Sequence, residues 1–117
     1  MRAAAQRTYR LDGPLNLLSN VHVQLGERTT LRFSPDPDHY LPAVLTKFEG
    51  TELFNYSPLI RAYMSSNVAL TGAGPSSLID GSGEQWFGKA SADTDKLRAM
   101  GNDSVPVYER VFGRGHK

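Results

Sequence analysis

The sequence contains no cysteine, which excludes a disulfide framework and a zinc site with thiolate ligands. The chain also carries almost no net charge: 13 lysines and arginines against 12 aspartates and glutamates give a formal net charge of +1. There is no basic run or basic and aromatic interleaving of the kind that binds nucleic acid, and the sequence leaves open the alternative of a local surface for a polyanion. We therefore expect no nucleic-acid partner.

Long apolar runs are absent as well. No stretch is long enough to span a bilayer, and residues 1–7 contain no apolar core of a secretory signal. We therefore expect no membrane partner, and the sequence leaves the cellular compartment open. What is present, 117 residues of which 39% are hydrophobic, fits one domain with its own core.

One short block of sequence occurs twice. Residues 19–23 align with residues 66–70 without a gap when Asn20 is set on Asn67, an offset of 47 residues. The same offset aligns further apolar and hydroxyl-bearing residues: Leu31 with Leu78, and Thr29-Thr30 with Ser76-Ser77. A block used twice indicates a repeat architecture, in which each unit buries its apolar face by stacking on its neighbour.

Each copy of the block predicts a short strand that follows a corner. Val21, Val23 and Leu25 alternate with polar residues, as expected of a half-buried strand. Asn20 and Asn67 each precede such a strand, and asparagine tolerates the left-handed backbone of a tight corner. We predict that residues 19–33 run parallel to residues 66–80, with the two asparagines stacked as a ladder in adjacent corners of a parallel β-helix.

The remaining segments predict the elements between these strands. Around Gly13-Pro14 we expect a strand, a turn and a second strand over residues 8–18, and two prolines make residues 34–38 a loop. Residues 39–56 are interpreted as an inserted hairpin or broken strand pair, and residues 57–64 as a buried strand leading to the second corner. Two short helices are predicted near the C-terminus, over residues 91–101 and 104–113.

Several segments together resemble the polygalacturonase-like glycoside hydrolases of family 28, in the N-terminal third of that family: residues 19–21, 30–42, 55–60 and 79–86. Asp80-Gly81-Ser82-Gly83 with Trp86, and residues 109–113, are most similar to the exo-acting bacterial branch. The resemblance covers nearly the whole chain. It implies an all-β fold, the first coils of a right-handed parallel β-helix followed by the two helices, and inverting hydrolysis of α-1,4 bonds between galacturonic acids in pectin with no metal or organic cofactor.

The family's catalytic motifs, Asn-Thr-Asp, Asp-Asp, Gly-His-Gly and Arg-Ile-Lys, do not occur in this sequence. Inversion needs a carboxylic acid and a carboxylate roughly 6.5–9.5 Å apart. No catalytic residue is therefore assigned, the substrate-binding residues stay unknown, and we expect residues 1–117 to form a single incomplete β-helix domain, a fragment of a pectinase-type domain without activity of its own. The alternative is a non-catalytic β-helix for carbohydrate binding or structure.

If the chain ends at its second coil, an apolar face around Leu70, Leu78 and Ile79 is poorly covered. About three repeats are needed for a stable solenoid, and two are recognisable here. The isolated chain is therefore expected to be marginally stable and to self-associate through the open end of its β-helix.

Several residues are of types that occur in catalytic, ligand-binding or metal sites, and each of them also has an explanation as part of a turn, the packing or the surface. Asp36, Asp38 and Asp80 are interpreted as turn residues rather than catalytic acids, and Gly72 and Gly74 as turn glycines rather than a phosphate loop. Trp86-Phe87 is interpreted as a seal on the second coil rather than a sugar platform. His22, His39 and His116 lack metal-ligand spacing, and Gly115-His116-Lys117 is interpreted as a chain end rather than a catalytic motif. Four basic residues are candidates to pair with galacturonate carboxylates, with solvated surface as the default: Lys47, Arg61, Arg98 and Arg110.

Overall fold

The computed structural model describes residues 5–86 and 91–113. The described residues form the following strands: β1 (Arg7–Leu11), β2 (Leu15–Asn16), β3 (His22–Leu25), β4 (Thr29–Phe33), β5 (Val44–Phe48), β6 (Thr51–Asn55), β7 (Ile60–Arg61), β8 (Ala69–Gly72) and β9 (Leu78–Asp80). One α-helix, α1, spans Ser91–Asn102, and single 3-10 turns lie at Pro37–Tyr40, Gly83–Trp86 and Val107–Glu109. The predominance of strands agrees with the all-β prediction.

The chain forms two compact units. Among the described residues, the first unit contains residues 5–35 and 59–82, and the second contains residues 36–58, 83–86 and 91–113. In the first unit every strand pair is parallel, and the strands fall into three sheets with the orders β1-β4-β9, β2-β7 and β3-β8. The chain thus visits the three sheets in turn and then visits them again. This recurrence confirms the predicted parallel pairing of residues 19–33 with residues 66–80.

The asparagine corners are confirmed in their geometry. Asn20 and Asn67 have φ angles of 66° and 56°, in the left-handed region that asparagine tolerates. The Asn67 side-chain amide donates a hydrogen bond to Asn20 Oδ1 at 2.9 Å. Beside this pair, the backbone N–H of Ser66 donates to Ser19 Oγ at 3.0 Å. The two copies of the corner are therefore stacked directly on each other.

The alignment beyond the first strand of each repeat is wrong by one residue. β3 pairs with β8 at the predicted offset, His22 opposite Ala69, but β4 pairs with β9 as Thr30 opposite Leu78 and Leu31 opposite Ile79. The extra residue lies in the second copy, where the Ser77 N–H donates to the Gly74 carbonyl at 3.0 Å and closes a turn. Because serine and threonine look alike in sequence, the gapless match of Thr29-Thr30 with Ser76-Ser77 concealed this insertion.

The core of the first unit is formed by Leu25, Leu31 and Phe33, which are buried. Partly buried apolar residues from the neighbouring strands pack against them: Leu11, Leu15, Val23, Leu59 and Ile60. The predicted poor cover is confirmed for Leu78 and Ile79, which are 54% and 47% exposed, whereas Leu70 is partly buried. β9 has a strand partner on one side among the described residues, which leaves its other edge without a pairing strand there.

The predicted insertion over residues 39–56 contains an antiparallel hairpin. β5 and β6 are joined by Glu49 and Gly50, whose φ angles of 46° and 86° are those of a two-residue hairpin turn with both residues left-handed. In the same unit, α1 packs on β6 because Leu53 and Leu97 are buried in one cluster with Phe112. The helix predicted over residues 91–101 is confirmed, and it ends one residue later.

Two predicted elements are wrong in extent. Residues 57–64 do not form a buried strand: strand pairing there is limited to Ile60 and Arg61, and Met64, whose positive φ of 48° breaks extended structure, is 89% exposed. The helix predicted over residues 104–113 is a single 3-10 turn, Val107–Glu109. The backbone after that turn bonds to a strand instead, since Phe112 N–H donates to the Phe54 carbonyl at 2.7 Å and Phe54 N–H donates to the Arg110 carbonyl at 2.8 Å.

Within the described residues, no helix combines the length and the apolar character that crossing a bilayer requires.

Candidate functional site

The second unit contains a surface pocket of about 420 Å³, which we call the basic pocket. Its lining comes from the hairpin, from one face of α1 and from the segment after the last 3-10 turn: Lys47, Gly50, Thr51, Glu52, Arg98, Gly101, Asn102 and Arg110. Helix positions 98, 101 and 102 are three and four residues apart, so they share one face. Three of the four basic residues considered from the sequence therefore converge here, whereas Arg61 lies in the first unit with its guanidinium 4.5 Å from the Tyr63 ring centre.

The hairpin register places Lys47 and Glu52 side by side. These residues are directly opposite each other on β5 and β6, and opposite residues of an antiparallel pair project from the same face. Lys47 is exposed, and among the described residues it forms no ion pair. Its ammonium group is therefore the cation of the pocket that is most open to an incoming ligand.

Arg98 is held by two carboxylates. Its Nη2 lies 3.2 Å from Glu49 Oε2, and its Nη1 lies 3.7 Å from Asp95 Oδ1 one helical turn earlier. The side chain remains 61% exposed, so the pair is screened by solvent and orients the guanidinium more than it stabilises the fold. Much of the charge of Arg98 is balanced before any ligand arrives.

Arg110 has a structural role in the wall of the pocket. Its Nε donates to the Val105 carbonyl at 2.8 Å, and its Nη1 donates to the Glu52 carbonyl at 3.1 Å. The guanidinium thus joins β6 to the segment before the last 3-10 turn. A planar side chain with several donors is suited to linking two backbone segments in this way.

The pocket does not contain the groups for glycoside hydrolysis. Glu52 is the one carboxylate among its lining residues, whereas inverting hydrolysis needs a pair. In the described parts of the chain, no cluster of three or more His, Asp or Glu residues could hold a metal ion. The arrangement offers cations, one carboxylate, an amide and a hydroxyl, which is the donor and acceptor set of a binding site.

The acidic candidates act as turn residues, as predicted. Asp36 caps the first 3-10 turn by accepting a hydrogen bond from the Asp38 N–H at 3.0 Å, and its other oxygen lies 3.7 Å from His39 Nε2. Asp80 accepts a hydrogen bond from the Ser82 N–H at 2.9 Å and forms an ion pair with Arg32 at 3.1 Å. The hydrogen bond from Ser82 and then the Arg32 partner lower the pKa of Asp80 below its ordinary value of 3.8.

His22 is a surface residue, as its alternation with valines predicted. It is exposed, and its Nε2 shares a hydrogen bond with Thr71 Oγ1 at 2.7 Å, on the strand that pairs with its own. Of the glycines considered as a phosphate loop, Gly74 belongs to a turn, since its carbonyl accepts the bond that closes it, whereas Gly72 is the last residue of β8 and not a turn glycine. The segment Gly115-His116-Lys117 and Phe87 lie outside the described residues.

Trp86 belongs to an aromatic cluster in the second unit. Its ring is half-buried and packs edge-to-face on Tyr40 and Tyr56, with 6.0 Å between ring centres in each pair. This geometry is that of favourable aromatic packing. The interpretation that Trp86 seals the second coil stays a prediction.

The sequence reasoning named the pocket's cations one by one but missed its other polar residues. Glu52 was detectable, because a two-residue turn at Glu49 and Gly50 places residue 52 opposite residue 47. Asn102 was detectable by its spacing of four residues from Arg98 on one helix. Their convergence with Arg110 depends on tertiary packing, which no local pattern contains.

The structure is similar to the crystal structure of a hyperthermoactive exopolygalacturonase from Thermotoga maritima, with a TM-score of 0.82 and 39% sequence identity. The match covers 97% of this chain and 28% of that chain, so the present chain corresponds to a minor part of that enzyme's length. A scan against protein-family models and a search of curated proteins each found no match. The likeness supports the resemblance to polygalacturonases that the sequence carries.

Proposed function

We propose that this chain is part of a polygalacturonase-like glycoside hydrolase of family 28, acting on the α-1,4-galacturonosyl bonds of pectin. The observation that carries the proposal is 39% identity to an exopolygalacturonase over 97% of the chain, at a TM-score of 0.82. At that identity the likeness extends to sequence as well as fold, which fold alone would not justify.

In this proposal the first unit supplies the starting coils of a right-handed parallel β-helix. The support is the order in which the chain visits its three parallel sheets, each of which gains one strand per passage. Parallel strands joined by a crossover within a sheet are nearly always right-handed, which favours that hand here. The stacked asparagines and the paired His22 and Thr71 are cross-coil contacts of the kind such a stack needs.

The 117-residue chain is proposed to be catalytically inactive on its own. The motifs that would supply the acid and base are absent from its sequence, and the basic pocket offers a single carboxylate. Binding surfaces cannot replace general acid and base groups in glycoside hydrolysis. We expect no release of reducing ends from polygalacturonate above a blank, and release reproduced in independently purified batches would contradict this.

The proposed family activity is tested on the product of the whole gene. Polygalacturonate hydrolysis is followed by reducing-end release, and the products are separated by size. Cleavage supports the proposal, and release of short end products alone would indicate exo action. Binding of polygalacturonate without cleavage would instead favour the alternative, a non-catalytic carbohydrate-binding β-helix, for which the basic pocket is the candidate binding site. A product that neither binds nor cleaves polygalacturonate would overturn both.

A further inference from the structure

We infer that the basic pocket is a binding subsite for a uronic acid residue, built by the hairpin and α1. The choice of a uronic acid among carboxylate-bearing ligands rests on the proposed function. The site itself rests on the geometry of the pocket. Its volume of about 420 Å³ falls within the range of small-molecule sites.

The charges of the pocket are not those of a binding site for a simple inorganic anion. Lys47, Arg98 and Arg110 are positive, but Arg98 is already paired with Glu49 and Asp95. Glu52 adds a negative charge to the lining itself. The charge of these groups taken together is balanced, so a phosphate or sulfate ion would gain little from the overall field.

The same residues fit a ligand that carries one carboxylate and several hydroxyls. Lys47 has no ion-pair partner among the described residues, so its ammonium group is available to a carboxylate. Glu52 can accept hydrogen bonds from sugar hydroxyls, and Asn102 and Thr51 offer both donors and acceptors. A uronic acid presents both kinds of group on one ring, so it uses the cation and its neighbouring carboxylate together.

The pocket is also held in shape before a ligand arrives. Arg110 fixes the backbone of β6 at Glu52, and Arg98 is oriented by its two carboxylates. Gly101 allows α1 to approach β6 closely, since a Cβ at that position would lie 3.2 Å from Thr51 Cγ2. Preorganised polar groups reduce the ordering cost of binding.

The test measures binding of trigalacturonate to the 117-residue chain by amide chemical-shift changes, with neutral galactotriose and sulfate as comparison ligands. We expect shifts centred on Gly50, Thr51 and Asn102, and weaker binding of both comparison ligands. Lys47→Gln should weaken trigalacturonate binding about tenfold, as loss of a charge-assisted hydrogen bond would. Arg7→Gln, the same charge change at an exposed position of β1, should leave binding unchanged.

Glu52→Gln separates sugar recognition from anion attraction. If Glu52 accepts bonds from hydroxyls, the variant weakens trigalacturonate binding, whereas in an anion site removal of a negative charge strengthens it. Equilibrium dialysis of labelled trigalacturonate gives the same comparison whatever the assembly state of the chain.

Three results would overturn the inference: stronger binding of trigalacturonate by Glu52→Gln, binding of sulfate as strong as that of trigalacturonate, or an equal loss of trigalacturonate affinity in Arg7→Gln and Lys47→Gln. If the whole gene product cleaves polygalacturonate but trigalacturonate does not bind at this pocket, the pocket inference is wrong and the proposed activity is supported.

If trigalacturonate binds at this pocket but the whole gene product does not cleave polygalacturonate, the pocket inference is supported and the proposed activity is wrong.

Discussion

Replacing Asn67 with alanine tests whether the stacked corners stabilise the first unit. The substitution removes the donor of the 2.9 Å bond to Asn20 Oδ1 and puts an alanine at a φ of 56°. Both side chains are exposed, so the hydrogen bond contributes about 1 kcal/mol net rather than the larger cost of an unsatisfied buried group. An alanine in the left-handed region costs about 1 kcal/mol more. We expect Asn67→Ala to lower the free energy of unfolding by about 2 kcal/mol.

Two further variants separate these contributions. Asn67→Gly loses the hydrogen bond but keeps the left-handed backbone at little steric cost, so its stability should lie between those of the original chain and Asn67→Ala. Asn16→Ala is the matched control, because Asn16 is an exposed strand residue with no side-chain hydrogen bond in the described structure. A surface change of that kind is expected within about 0.5 kcal/mol of the original.

The measurement is a urea titration followed by circular dichroism, in which the midpoint shifts while the slope stays constant. The double variant Asn20→Ala with Asn67→Ala completes a cycle, and its loss should be smaller than the sum of the two single losses. If Asn67→Ala unfolds at the same urea concentration as Asn16→Ala, the ladder contributes nothing. The parallel pairing of the strands would then have to be stabilised by the apolar core alone.

Three other predictions follow from the same unit. Gly72→Ala should destabilise the fold by about 1–3 kcal/mol, because the new Cβ would lie 2.9 Å from Ser77 Cβ. Gly74→Ala is the control, since a Cβ at that position meets nothing within 4 Å and should have little effect. Equal urea midpoints for the two variants would contradict this. The pKa of Asp80 is lower in the folded chain than in the unfolded chain, so ionised Asp80 contributes to the free energy of unfolding above its unfolded pKa, and this contribution is lost as the pH falls through its folded pKa. Asp80→Asn should therefore flatten the loss of stability below about pH 4. An unchanged dependence of stability on pH would refute this. The isolated chain should self-associate through the exposed β9, and Ile79→Lys should reduce its light scattering; a monomer with a cooperative high-temperature melt would count against an open stack.

The parallel stack was predictable because its signals are local and repeated. Alternating apolar residues after an asparagine predict a strand after a corner, and two copies at one offset predict stacking. The shift to an offset of 48 at β4 and β9 was not predictable, because a turn can gain one residue without changing its chemistry. Such a shift moves every following side chain to the other face of its strand, so Ile79 rather than Leu78 lies opposite the buried Leu31.

The segment after residue 104 shows how tertiary contacts override a helical pattern. Val107, Tyr108, Val111 and Phe112 have the spacing of an amphipathic helix. In the structure Phe112 is buried with Leu53 and Leu97, while the backbone around Val111 pairs with Phe54. Hydrogen bonds to an available strand edge satisfy the backbone as well as a helix would, and they place the Phe112 ring in the core while Tyr108 stays exposed.

The chemistry of the basic pocket depends on hairpin register more than on the number of cations. Arg98 is balanced by Glu49 and Asp95, and Arg110 bonds to backbone carbonyls, so neither guanidinium is fully available to a ligand. The remaining pair, Lys47 and Glu52, is adjacent because Glu49 and Gly50 form a loop of two residues between them. A loop one residue longer would move one of the two to the other face of the hairpin and separate cation from carboxylate. The turn at Gly50 therefore determines whether this pocket can distinguish a uronic acid from a simple anion.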